Sequence, residues 1–296
     1  MKHELTTEQQ SRREKLQHLR DAEIDPYPHS GKRTHTNKEA LEQYEALASN
    51  EQEISLVGRI KLLRPHGKST FAKIEDESSA LQFYFRQDIL GEKLYTLMRE
   101  LDLGDFIEAH GKLFTTKMGE QTLQVHNWRV LTKSLRPLPE KWHGLKDLET
   151  RYRKRYIDLL MNAEKRELFR KRSTFIKSIR SFLDENGFME VETPILELVP
   201  GGAEAEPFIT HHNTLDIDLY LRISLELHHK RLIVGGYEKI FEIGKVFRNE
   251  GMSTQHLQEF TMLEFYWAYA NWEDMMAMIE QLTSTVVEKT FGTLQI

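Results

Sequence analysis

Between positions 241 and 266 the chain places charged, phenolic and aromatic side chains at every second residue. The run Phe241-Glu242-Ile243-Gly244-Lys245-Val246-Phe247-Arg248-Asn249-Glu250-Gly251 precedes a polar loop and then Glu259-Phe260-Thr261-Met262-Leu263-Glu264-Phe265-Tyr266. Side chains alternate across a strand, so Arg248 and Glu250 share one face of the first limb. Phe260, Met262, Glu264 and Tyr266 share one face of the second. Read as a hairpin, the two limbs collect a guanidinium, two carboxylates, a phenol and a bare aromatic ring on one sheet face. A planar, always charged Arg fork there could stabilise charge on an oxyanion. The plainer reading is an amphipathic hairpin with a solvated polar face, and Phe260 and Met262 on that same face count against it.

Other candidate chemistry falls away. Gly67-Lys68-Ser69 resembles the end of a phosphate-binding loop, but that loop requires a Gly five residues before Gly67, and Leu62 stands there. The pairs His211-His212 and His228-His229 could suggest a metal, yet neighbouring histidines rarely reach one ion and no HExxH is present, so packing or solvent roles are expected and no metal site within this chain. The absence of cysteine excludes a disulfide framework, a thiolate zinc site and a thiol nucleophile.

The hairpin needs a scaffold, and the sequence suggests two. The first fifty residues carry helical stretches at Thr7–Arg20 and Lys38–Ala48, separated by Asp25-Pro26-Tyr27-Pro28 and Gly31. From Ile54 short alternating runs follow, at Ile54–Gly58, Leu81–Phe85, Asp105–Ala109 and Leu123–His126, with one helical insert near Leu90–Leu101. That count and spacing suit a five-stranded OB-type barrel, a fold whose strand 2–3 face commonly serves as an oligonucleotide platform. Leu135-Arg136-Pro137-Leu138-Pro139 marks a linker. A second unit opens near residue 150, with a helix over Glu167–Leu183 capped near Gly187. Strands are then expected at Val191–Leu196, Leu219–Ile223, Phe241–Phe247 and Phe260–Tyr269.

Composition fits this division. The 296 residues contain 41 Lys and Arg against 46 Asp and Glu, a formal charge of −5, with 39% hydrophobic and 10% aromatic residues. Such a chain can bury a core and is not of the disordered class. No apolar run approaches the roughly eighteen residues of a membrane span, and the polar first residues lack a secretory pattern, so no membrane association and a cytoplasmic location are expected. A mildly acidic total neither requires nor excludes a nucleic-acid partner, because local clustering decides.

With these residues in view, the chain resembles the class II aminoacyl-tRNA synthetases, in particular their lysine-specific members. The hairpin is similar to motif 2 of that family, and Glu192-Thr193-Pro194-Ile195-Leu196 with its preceding helix is similar to motif 1. The segment from Pro200-Gly201-Gly202 to Leu221-Arg222 resembles the lysine type, and the likeness runs from Arg12-Arg13-Glu14-Lys15-Leu16 to Tyr269. It implies an α+β fold: an N-terminal OB-fold barrel and an incomplete class II antiparallel sheet flanked by helices. The divisions are an N-terminal helical arm at 1–52, an anticodon-binding barrel at 53–133, a linker at 134–150 and the first part of a catalytic domain at 151–296. The sequence stops before a Gly-rich, Arg-containing motif 3, so a truncated catalytic domain is expected.

The resemblance further implies a lysine–tRNA ligase that forms lysyl-adenylate from lysine and ATP and passes it to tRNA(Lys), as a homodimer. A tRNA-binding module without adenylation is the alternative. By resemblance Arg248 holds the α-phosphate and the attacking carboxylate, as the catalytic group, while Glu250 and His256 contact ATP and Phe260 stacks on adenine. Glu226 receives the α-ammonium of lysine, Gly202 lines the pocket, and Glu264 and Tyr266 flank the ε-ammonium. Arg64, Phe71, Gln82 and Tyr84 match anticodon-reading positions, with Phe71 equally readable as core. Mg2+ is expected with ATP, its usual carboxylate ligands belonging to sequence after Ile296. Two local departures stand out: Leu257-Gln258 where the family has Asn-Pro, and Ser224-Leu225-Glu226-Leu227-His228 where it favours Ala-Pro-Glu-Leu-Tyr. The basic run Arg151–Arg155 reads as a solvated face, with tRNA contact the weaker alternative.

Overall fold

The computed structural model describes residues 5–138 and 147–295, which fall into two compact units divided at Lys146/Asp147. Residues 139–146 of the expected linker lie outside the described residues, and its last residues, from Leu148, are helical.

The first unit opens with α1 (Thr7–Asp21), whose Thr6 and Gln9 form a reciprocal capping box. The expected helix over 38–48 is instead two, α2 (Asn37–Glu42) and α3 (Tyr44–Ser49), because Gln43 between them leaves helical geometry at φ −97°, ψ 14°. Five strands follow: β1 (Ile54–His66), β2 (Ser69–Glu75), β3 (Ala80–Arg86), then, after α4 (Gln87–Thr96), β4 (Phe106–Thr115) and β5 (Gln121–Thr132). They close into a barrel in the order β1-β2-β3-β5-β4, the expected OB-type architecture.

Strand β2 has no counterpart among the expected runs. Its inward residues Thr70, Ala72 and Ile74 are small or polar in two of three positions, so its alternation carries little hydrophobic contrast. The barrel interior is filled by Ile60, Ile74, Leu81, Phe83, Phe85, Ile107, Leu123, Val125 and Val130, and α1, α2 and α3 add Leu19, Ala40, Tyr44 and Leu47 to the same core. Polar contacts fix α1 to the barrel as well. Arg12, itself buried, donates to the carbonyls of Leu103 and Ser134 at 3.1 Å, and Lys15 meets Asp102 at 2.6 Å. Asp102 and Asp105 together neutralise the fully buried Lys133.

The second unit begins with α5 (Leu148–Arg153) and α6 (Arg155–Met161), where Arg151 and Arg155 both bind the buried Asp158. Those two arginines are therefore structural, and Arg153 pairs with Glu149 on the surface. Helix α7 (Ala163–Glu185) leads to β6 (Met189–Glu190) and β7 (Leu196–Glu197). The expected continuous strand over Val191–Leu196 is thus interrupted at 191–195, around Pro194, which lacks an N–H for a ladder. Strands β8 (Ile209–His212) and β9 (Ile217–Leu221) join β7 in a small antiparallel sheet, ordered β7-β9-β8.

Helix α8 (Glu226–Val234) then precedes the hairpin of β10 (Lys239–Phe247) and β11 (Glu259–Trp267), and α9 (Trp272–Phe291) follows it. Neither α8 nor α9 was among the elements expected from sequence. The hairpin register pairs Phe241 with Phe265 and Ile243 with Leu263. This apolar face packs with Ile179, Phe182 and Leu183 of α7 and Met278, Leu282 and Val286 of α9. The opposite face of the same two strands is left for polar chemistry.

Candidate functional site

The register settles which side chains share that second face. Phe260 pairs with Val246, Met262 with Gly244, Glu264 with Glu242 and Tyr266 with Ile240. Beyond the strand end, the Arg248 amide donates to the Gln258 carbonyl at 2.9 Å, continuing the same alternation. Arg248 and Glu264 therefore project to the same side of the sheet, as the spacing predicts. The Arg248 guanidinium lies 5.3 Å from the Phe260 ring centroid, within cation–π range. Its Nε makes a long contact of 3.4 Å with the Ile223 carbonyl.

Glu264 and Glu242 are directly opposed across the ladder, an arrangement that repels unless each charge is answered. The two are answered differently. Glu242 is buried and accepts from Arg222 Nη1 at 2.7 Å and from Thr193 Oγ1 at 2.7 Å, with His229 Nε2 at 3.3 Å. Burial would raise its pKa, but these bonds and the Arg222 charge outweigh that and hold it at about 2. Arg222, also buried, donates in addition to the carbonyls of Thr193 and Lys245. Gly244 leaves the room that the guanidinium occupies, since a Cβ there would collide with it.

Glu264 has no such cation. Its Oε1 accepts from the Ser224 hydroxyl at 3.0 Å and from the Leu225 amide at 3.1 Å, and no Lys, Arg or His among the described residues pairs with it. Next to it, the pKa of Tyr266 is pushed up to about 12 by burial first, then by the Glu264 and Glu226 charges and a hydrogen bond to Glu264, so the phenol keeps its proton at neutral pH. The ring of the fully buried His229 meets Tyr266 edge-on at 5.3 Å.

Gly202 and Glu226 complete this group. Gly202 has φ +83°, and a Cβ there would lie 2.8 Å from Glu226 Cβ and 2.9 Å from Ser224 Oγ. The close approach and the left-handed backbone both require glycine. Glu226 opens α8, its amide donating to Ser224 Oγ at 3.1 Å and its carboxylate held by Lys230 at 2.5 Å. Gly202, Glu226, Glu264 and Tyr266, far apart in sequence, are thus brought together.

Glu250 and His256 are not brought to this face. Strand β10 ends at Phe247, so Glu250 lies outside it and does not share a strand face with Arg248, as the spacing alone suggested. Glu250 is exposed, its carbonyl accepting from Gln258 Nε2 at 3.3 Å. His256 is also exposed, its Nδ1 2.7 Å from Ser253 Oγ within the connecting loop. Of the histidine pairs, His211 sits beside Asp218 on the surface, while His228 lies 3.1 Å from Glu197. Burial pushes the His228 pKa down and that of Glu197 up. No group of three potential ligands capable of holding a metal occurs among the described residues.

On the barrel, Arg64 pairs with Phe71 and Phe71 with Tyr84 in adjacent strands, placing all three in one row. The Phe71 and Tyr84 rings stack at 4.3 Å with an 18° tilt, and Phe114 lies 6.0 Å beyond. Phe71 is only partly buried, whereas its neighbours Ala72 and Ile74 point inward, which resolves its position in favour of the outer face. Gln82 shares the face of Tyr84 and donates to Thr122 Oγ1 at 2.9 Å. Arg64 is exposed and has no hydrogen-bond or ion-pair partner among the described residues.

Sequence reasoning did not single out Arg222, Ser224, His229 or Glu242 for the site. Glu242 was reachable, because an even-numbered carboxylate facing Glu264 needs a buried cation. The other three depend on how α8 and the segment before it cross the hairpin.

Comparison with known proteins bears on both units. The family described as tRNA synthetases class II (D, K and N) matches residues 147–296, and an OB-fold nucleic acid binding domain matches residues 54–131. The chain is 53% identical over 285 residues to a lysine–tRNA ligase of Carboxydothermus hydrogenoformans, covering 96% of this chain and 58% of that protein. It is 51% identical to that of Pelotomaculum thermopropionicum, covering 96% and 56%, and 47% identical to that of Bacillus subtilis, covering 99% and 60%. The chain thus spans somewhat under two thirds of the length of these relatives.

Proposed function

The chain belongs to the class II tRNA synthetases of the D, K and N group, and from that premise we propose that it serves lysine activation with ATP and the charging of tRNA(Lys). The observation that carries this reading is the uncompensated Glu264 carboxylate beside a protonated Tyr266, on the same face as Arg248 stacked over Phe260. A carboxylate kept from any internal cation calls for one from outside, and a terminal ammonium answers it.

In this reading the lysine carboxylate attacks the α-phosphorus of ATP, releasing pyrophosphate and leaving lysyl-adenylate. The terminal ribose of the tRNA then attacks the mixed anhydride, so no enzyme nucleophile takes part. Arg248 spans the α-phosphate and the attacking carboxylate, stabilising charge that builds on oxygen as the bond forms. Phe260 offers its ring to adenine, Glu250 and His256 contact the nucleotide from the loop, Glu226 receives the α-ammonium and Gly202 admits it. The ε-ammonium rests between Glu264 and Tyr266. Magnesium would accompany the nucleotide, and the described residues build no cage of three ligands for it.

Arg64, Phe71, Gln82 and Tyr84 would receive anticodon bases by stacking and edge hydrogen bonds. Homodimerisation is part of the proposal, supported by the exposed apolar stretch Ile195, Leu196, Leu198 and Val199 beside Pro194. So is a cytoplasmic location; no described helix is long and apolar enough to cross a membrane. Lysine-dependent exchange between ATP and pyrophosphate, run beside tRNA(Lys) binding, tests the reading. Exchange supports it. Binding without exchange supports instead a tRNA-binding module without adenylation.

A further inference from the structure

Ser224 occupies the point where the amino-acid side of the site is tied together. It is 4% exposed, and both hydrogen-bonding capacities of its hydroxyl are used. Its proton goes to Glu264 Oε1 at 3.0 Å, while its oxygen accepts the Glu226 amide at 3.1 Å. Gly202, by lacking a side chain, leaves the space into which that oxygen projects. One hydroxyl therefore touches three of the four residues assigned to lysine.

The consequence concerns how the Glu264 carboxylate is held. Oε1 is occupied by two donors, Ser224 Oγ and the Leu225 amide, so the carboxylate cannot rotate without breaking both. The Tyr266 phenol is a further neutral donor to the same carboxylate. Neutral donors hold the carboxylate in place without cancelling its charge, which a lysine or arginine in their position would do. Across the ladder the buried Glu242 shows the contrasting case, with Arg222 neutralising it.

We propose that Ser224 is a positioning residue for amine selection: it fixes the Glu264 carboxylate so that its charge, met by neutral donors and no cation, is presented to the terminal ammonium of the substrate. The inference rests on the reading that Glu264 receives that ammonium. It goes beyond it in naming the side chain that sets the geometry, at a position where this chain departs from the Ala favoured by its family.

Calorimetric titration of the full chain with L-lysine, with L-norleucine, which lacks the ε-ammonium, and with ATP separates the possibilities. Ser224→Ala is expected to weaken lysine binding about 3- to 10-fold, the loss being limited because the Leu225 amide remains. ATP affinity should be unchanged, and norleucine, which meets Glu226 but not Glu264, should lose less than lysine, so the preference for lysine over norleucine falls. Ser224→Cys, with a weaker donor of similar shape, should fall between parent and alanine variant, and thermal unfolding of both identifies any loss of fold. Unchanged lysine affinity in a folded variant, or equal losses for lysine, norleucine and ATP, overturns the inference while leaving lysine recognition intact. Failure of the parent chain to prefer lysine over norleucine overturns the functional reading, and this inference with it.

Discussion

On the barrel, the side chains proposed to meet a base are mostly left free. Arg64 is exposed without a partner among the described residues, Phe71 and Tyr84 stack mainly on each other, and of the four only Gln82 is held, by Thr122. On the hairpin the polar groups are held from behind. Arg222, Thr193 and His229 fix Glu242, and Ser224 with the Leu225 amide fixes Glu264. The difference fits the ligands proposed for each face. A single strand brings large, flat surfaces whose stacking tolerates small displacements. A small cation selected by one carboxylate tolerates almost none, and a site for it must be rigid before it binds.

If that contrast is right, the largest effect comes from cutting the hairpin network at its centre. Glu242→Ala leaves the Arg222 guanidinium buried without its carboxylate, at a cost of about 3–5 kcal/mol in denaturant unfolding of the second unit. A loss below about 1 kcal/mol would show that the network is dispensable. The same carboxylate sets a pH signature. Its folded pKa of about 2 lies below the ordinary value of 4.5, so its stabilisation is present above pH 4.5 and lost as the pH falls toward 2. Acid titration of the parent should show that loss, and Glu242→Ala should show less of it.

Next in size is the ligand carboxylate. Glu264→Gln should weaken lysine binding roughly 100-fold, because an ammonium would be left without its counter-charge, with ATP affinity retained; equal losses would refute the assignment. On the barrel, Tyr84→Ala removes a stacking surface worth about 1–3 kcal/mol per base, read as weaker binding of a tRNA(Lys) anticodon stem-loop with no change in lysine affinity. A matching loss of lysine binding would erase the distinction between the two faces. The smallest effect is expected at Arg153, whose pair with Glu149 is exposed. Arg153→Ala should move stability by no more than about 0.5 kcal/mol and leave tRNA affinity as it was.

How much was legible varies with the range of the contacts involved. The hairpin could be read because period-two alternation is a local property: Phe260, Met262, Glu264 and Tyr266 must share a face wherever the strand goes. The same rule failed at Glu250, where the strand had already ended, since alternation says nothing about where pairing stops. Strand β2 was hidden by its small and polar inward residues. The interruption between β6 and β7 was signalled by Pro194, yet the apolar run around it reads as continuous strand.

Taken alone, the amino-acid order determined the barrel, the hairpin face and the family, because each is written in neighbouring residues. The folded chain decided the rest: that Gly202 meets Ser224, that Ser224 holds Glu264, that Arg222 answers Glu242, and that His229 backs Tyr266. Those contacts join residues 20 to 40 positions apart. Their geometry is set by how a loop and a short helix pack across two strands, and no local periodicity encodes that packing.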